Sequence, residues 1–165
     1  MSAHRTNADV QENACGALSN LAVNDRNKEI LGQDLDVGAE IVAAMRAHRT
    51  NADVQMSACG ALSNLAYMND RNQEILVQDL NVGAEIVAGM RAHRTNADVQ
   101  GNACSALSNL SCNARNEETL GQDLNVGAEI VAAMSTHRAH HACGALSNLA
   151  VNDRNKEILG QDLNV

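Results

Sequence analysis

The side chains best suited to chemistry in this chain are histidines and cysteines. The stretch "HRAHHAC" sets His137 and His141 four residues apart, with His140 between them and Cys143 two further on. Residues at i and i+4 share a helix face, so this spacing suits a Zn or Cu site. Against that reading, His137 only repeats His4, His48 and His93, and no carboxylate or second cysteine completes a ligand set. The expectation is no cofactor and no metal; His137, His141 and Cys143 are the residues that would hold one. Cys15, Cys59, Cys104 and Cys143 recur at one position of a repeated phrase, and Cys112 is extra. Equivalent positions on stacked helices lie roughly 8–10 Å apart, beyond the ~7 Å that a disulfide spans. These cysteines are therefore expected to be small buried hydrophobes in a reducing compartment. No G-x-S-x-G, P-loop, G-x-G-x-x-G or HExxH is present, and the acidic residues read as solvated pairs such as Glu29 with Lys28. The chain is expected not to be an enzyme.

Composition narrows the classes further. The 165 residues carry a net charge of −8, which disfavours nucleic acid as a partner. There is no Phe, Trp or Pro, and Tyr67 is the only aromatic residue, so a core must come from Leu, Ile, Val, Met, Ala and Cys. No apolar run approaches the ~20 residues of a membrane span, and "MSAHRTNADVQ" resembles neither a signal nor a transit peptide. An intracellular location is expected.

The elements that must position any site are repeated. "NACGALSNLAVNDRN" (13–27) returns from Ser57, Asn102 and His141, and His4, His48, His93 and His137 mark periods of 44, 45 and 44 residues. The second unit has one extra residue at Tyr67–Met68, and the last loses five where "HRTNADVQGNAC" has become "HRAHHAC". Periods of this size belong to arrays with two or three helices per unit, and nothing alternates with period two, so no strands are predicted. The first helix covers about Arg26–Leu35 behind a cap in "NDRN" and buries Ile30, Leu31 and Leu35. Gly38, like Gly83 and Gly127, breaks the path. The second helix, about Ala39–His48, buries Ile41, Val42 and Met45, with Met90 and Met134 on the same stripe; Glu40 at its start and Arg46, His48 and Arg49 at its end suit the helix dipole. Thr50 or Asn51 caps the third and longest helix, about Ala52–Ala66. The single domain 1–165 divides into a third helix at 7–23, repeats at about 25–67, 69–112 and 114–151, and a terminal first helix at 153–165.

At 100° per residue, Val10, Ala14, Ala17, Leu18 and Leu21 of the first third helix form one arc, with Cys15 and Ala22 at its edge. Asp9, Asn13, Gly16, Asn20 and Asn24 form a narrow polar front. Stacking the units aligns Asn20, Asn64, Asn109 and Asn148 into a ladder. A carboxamide has both donor and acceptor, so such a row can pair with the backbone of an extended peptide, and small residues beside it let that backbone approach.

The run "NADVQENACGALSNLAVNDRNKEIL…VGAEIVAAM" resembles an armadillo repeat. Its "ALSNLA" matches the third helix and its "G-A-x-I-V" the second, over essentially the whole chain; cysteine-containing armadillo units of large protist proteins are similar. The resemblance implies an all-α, right-handed armadillo-type α-solenoid of about three three-helix repeats with partial units at both ends. In importin-α and β-catenin the matching asparagine holds the main chain of a bound peptide, which implies that role for Asn20, Asn64, Asn109 and Asn148. Importin-like repeats have Trp four residues earlier, where this chain has Gly16, Gly60, Ser105 and Gly144, so nuclear-signal recognition is not implied. The family's Pro between first and second helices is also missing.

The expected function is a non-enzymatic protein–protein interaction scaffold that binds an extended peptide along the concave groove. The contacts would be the four ladder asparagines with Asp9, Asp53, Asp98, Asn13 and Asn102. The acidic tint favours neutral to basic protein or peptide partners, and neither nucleic acid nor membrane insertion is expected. The alternative is a structural subunit whose open solenoid ends self-associate or are covered by neighbouring chains of a larger assembly.

Overall fold

The computed structural model describes residues 1–122, 124–136 and 140–162. A short 3₁₀ turn, Ser2–His4, precedes eleven helices among the described residues. They are α1 (Ala8–Leu21), α2 (Asp25–Glu29), α3 (Val37–Ala47), α4 (Ala52–Ala66), α5 (Asp70–Glu74), α6 (Val82–Ala92), α7 (Ala97–Leu110), α8 (Ala114–Gln122), α9 (Leu124–Thr136), α10 (His140–Leu149) and α11 (Asp153–Asp162). The described residues contain no strand. The third helices α1, α4, α7 and α10 pack side by side, each of α4, α7 and α10 also receives the second helix before it, and second helices pack on second helices. The molecule is an α-solenoid built from helix triplets.

Capping explains where the helices begin. Asn7, Asn51 and Asn96 each accept the amide of the residue three on, and Asn24 and Asn69 do the same for the first helices. Each bond satisfies a donor that the first turn leaves without a partner.

The first helices depart from expectation. After α2 and α5 the chain continues as a π-helical turn, Ile30–Asp34 and Ile75–Asp79. The break before the second helix is made by Asp36 and Asn81, at φ 47° and 51°, not by glycine. Asp and Asn tolerate this left-handed region better than other side chains. Gly38 has a packing role instead: a Cβ there would lie 2.8 Å from Leu76 Cδ2 and Leu80 Cδ1 of the next unit.

Burial also corrects the reading. Leu31 is buried as expected, but Ile30 and Leu35 are exposed, because α1–α3 has no preceding second helix to cover them. In α1 the expected apolar arc is half-buried to exposed while its edge, Cys15 and Ala22, is buried; in α4 all the equivalents are buried. Met45 and Met90 are core residues, yet Met134 is exposed. The last unit has lost five residues before its third helix, and the described part of α10, His140–Leu149, is shorter than α4 and α7. Cys143 on α10, which has a third helix on one side only, is exposed, whereas Cys15, Cys59 and Cys104 are buried.

Two sets of buried amides tie the units together. Gln55 donates to the carbonyls of Met45 and His48, and Gln100 to those of Met90 and His93, so each serves the open end of the preceding second helix. Asn72, Asn116 and Asn155 each donate to two carbonyls of the preceding unit, one on its first helix and one at the end of its third helix. Intra-helix charge pairs form in the first helices, Lys28 with Asp25, Arg71 with Glu74 and Lys156 with Asp153, and ion pairs between units add to them. Arg46 and Arg49 both reach Glu85, at 2.8 and 2.6 Å, and Arg91 and Arg94 both reach Glu129, at 2.8 and 2.9 Å.

Candidate functional site

The stacked fronts of α1, α4 and α7 form a groove with a cavity of about 380 Å³. Asn64 and Asn109 line it together with Val23, Ser105, Tyr67 and His141. The ladder asparagines have a structural duty as well. Asn64 Nδ2 donates to Ser19 O and Oγ, both at 3.0 Å, and Asn109 Nδ2 to Ser63 O and Oγ at 3.0 and 2.9 Å. Asn148 Nδ2 donates to Ser108 O at 3.0 Å. Each amide nitrogen is therefore committed to the third helix of the preceding unit. The Oδ1 atoms of Asn64 and Asn109 remain accessible and accept no bond among the described residues. Asn20 has no third helix before it; it is exposed, with both ends of its carboxamide free.

This narrows the peptide-binding chemistry expected from the sequence. A carboxamide held by its nitrogen presents a fixed acceptor, which suits the N–H groups of an extended backbone; it no longer offers a donor to the carbonyls. The pinning removes side-chain freedom in advance, so binding loses less entropy.

The other expected contacts lie elsewhere. Asn13 and Asn102 fold back onto the carbonyls of Asp9 and Asp98 in their own helices, at 2.7 and 2.9 Å. Asp9, Asp53 and Asp98 are exposed in the first turns of α1, α4 and α7, where a carboxylate meets the positive end of the helix dipole. None of these five lines the cavity. His137 lies outside the described residues, and His141 and Cys143 are exposed on α10. Among the described residues no three His, Cys, Asp or Glu side chains are placed to hold a metal ion. No described helix is long and apolar enough to cross a membrane.

Lys28, expected in a solvated pair with Glu29, is buried. Its Nζ donates to Tyr67 O at 2.8 Å and to Asp25 Oδ1 at 3.1 Å, and lies 5.4 Å from the Tyr67 ring centroid. The cation thereby fixes the aromatic residue at the groove edge. Nothing local in "NDRNKE" announces this, because the ring lies 39 residues further along the chain. The serine partners of the ladder were more accessible to reading: a Ser stands before each ladder Asn in the recurring "LSNL".

The buried thiols are inert by position. Burial pushes Cys15 and Cys59 up to about 12 and Cys104 to about 11, with the neighbouring thiols adding to the effect at Cys59. The model of the family described as LRRK2 ARM repeat matches residues 1–152. No curated protein and no solved structure matches the chain.

Proposed function

Because the chain belongs to the LRRK2 ARM repeat family, we propose that it holds an extended segment of a partner protein along the groove of its third helices. Armadillo repeats are as a rule non-enzymatic scaffolds that bind proteins, and the family match and the helix-triplet solenoid support that reading. The observation that carries the finer reading is the pair of fixed acceptors, Asn64 Oδ1 and Asn109 Oδ1, on one wall of an open cavity. A bound backbone donates its amides to them while its side chains reach Val23 and Tyr67 on the apolar edge. The net charge of −8 and the exposed Asp9, Asp53 and Asp98 favour a neutral to basic segment.

The test is selection from a library of unstructured peptides against the full chain, followed by titration of the winners. With Asn64→Ala plus Asn109→Ala, affinity is expected to fall at least tenfold. Gln33→Ala, on an exposed first-helix turn, leaves it unchanged. Circular dichroism of each variant separates lost binding from lost fold, because the ladder amides also join units. Equal affinity for the double variant and the wild type sinks the groove reading.

A further inference from the structure

The groove cavity is wide because its walls are built from short side chains. Ala22, Ser63 and Ser105 line it, and the polar front of α4 carries Gly60, where an added Cβ would meet nothing closer than 3.5 Å. At ~30 Å³ per molecule, its volume of about 380 Å³ is room for roughly a dozen waters. The chain has no Phe or Trp of its own to fill that space. Its single aromatic residue, Tyr67, stands on the cavity wall and is 54 % exposed.

The extra residue of the second unit places that ring. The residues capping the ends of α1 and α7, Ala22 and Ser111, keep ψ near the helical turn, at −5° and 8°. Tyr67, the cap of α4, is extended at ψ 117°, and Met68 after it is left-handed at φ 51°. Such a φ is strained for a side chain of this kind, and Met68 is 81 % exposed, so its own packing does not hold it there. The turn instead delivers Tyr67 O to Lys28 Nζ at 2.8 Å, with the ammonium 5.4 Å from the ring centroid.

The same ammonium decides which side chain fits. Lys28 is 3 % exposed and lines the cavity, His141 lines it too, and no described carboxylate does. Asp25, the ion-pair partner of Lys28, is not on the wall. A lysine or arginine from a partner would therefore meet a buried like charge with no anion beside it. An aromatic ring has the opposite preference. Its face attracts the Lys28 cation, and it pairs with the Tyr67 ring. An indole N–H also finds the fixed acceptors Asn64 Oδ1 and Asn109 Oδ1.

We propose that the segment held in the groove anchors one aromatic side chain, tryptophan best of all, in this cavity. The inference rests on the groove reading and adds the residue class which that reading leaves open. Tyr67 is the specificity-determining residue, and the anchor position rejects the basic side chains that suit the rest of the segment.

The probe is N-acetyl-tryptophanamide, titrated into the ¹⁵N-labelled full chain and followed by NMR. Saturating shifts are expected at the amides of Val23 and Tyr67. N-acetyl-leucinamide and N-acetyl-argininamide are expected to bind more weakly by about fivefold. Tyr67→Leu keeps the backbone carbonyl that Lys28 holds. It is expected to weaken the tryptophan probe by about fivefold and leave the leucine probe unchanged, with circular dichroism checking the fold. No saturation, no preference over leucine or arginine, or indifference to Tyr67→Leu overturns the aromatic anchor, whatever the selected peptides do. Tryptophan-probe binding that needs Tyr67, beside peptides indifferent to Asn64→Ala plus Asn109→Ala, supports the anchor and overturns the backbone ladder alone.

Discussion

Helices α1 and α4 share the phrase "ACGALSNLA" and bury it to different depths. α4 lies between α1 and α7 and buries Val54, Ala58, Cys59, Ala61, Leu62 and Leu65. α1 has a third helix on one side only; Ala17 and Leu21 are exposed, and Gln11 and Cys15 are its buried residues. The spelling fixes which face is apolar; the neighbour fixes whether that face is dry. In a linear array each unit touches only the next, so stability is shared among interfaces rather than stored in one core.

The largest test of the contrast is a pair of truncations. Leu62→Ala, in the fully buried position, is expected to cost about 2–5 kcal/mol, the usual range for a cavity in a core. Leu18→Ala, half-buried at the open end, is expected to cost less than half as much in the same urea titration. Equal costs would mean that the end is covered in solution, and analytical ultracentrifugation would then show association.

A second pair uses glycine. At Gly32 a Cβ falls on the buried carboxamide of Asn72, so Gly32→Ala is expected to destabilise by about 1–3 kcal/mol. At Gly101 a Cβ meets nothing within 4 Å, so Gly101→Ala is expected to stabilise by about 0.5–1 kcal/mol through helix propensity alone. Melting temperatures that move the same way would show that Gly32 is not packed as described.

The third pair is electrostatic. Burial tends to raise the Glu85 carboxyl, but bonds and charge from Arg46 and then Arg49 together hold it below its ordinary value of 4.5. Its stabilising contribution is therefore complete above that value and lost as pH falls through the lower folded value. Urea midpoints between pH 6 and 3 are expected to fall less steeply for Glu85→Gln than for the wild type.

The smallest effect concerns thiols. Iodoacetamide on the native chain is expected to modify Cys112 and Cys143, and to reach Cys15, Cys59 and Cys104 only in denaturant. Mass spectrometry of the intact chain reads the difference. Alkylation of Cys59 without denaturant would contradict the dry interface of α4.

Much of the fold was legible because it rests on local rules. Period, caps and apolar stripes placed α4 at its observed bounds from sequence alone, and of the two expected caps, Thr50 and Asn51, the structure uses Asn51. The candidate site was legible by half: the ladder positions were visible as a recurring "SN", while the binding of each amide to a serine of the preceding unit was not. The pairings Lys28–Tyr67 and Arg46–Glu85 join residues 39 apart. No local pattern selects those partners over the nearer charges that the sequence offers.

By itself the sequence determined a row of helix triplets, the apolar face of each and the positions that recur, because helix periodicity and capping act within a few residues. Only the tertiary structure decided which recurring positions are buried, which asparagine atoms remain free and which glutamates are shared. Those outcomes depend on what the adjacent unit presents, and identical spellings meet different neighbours along the array.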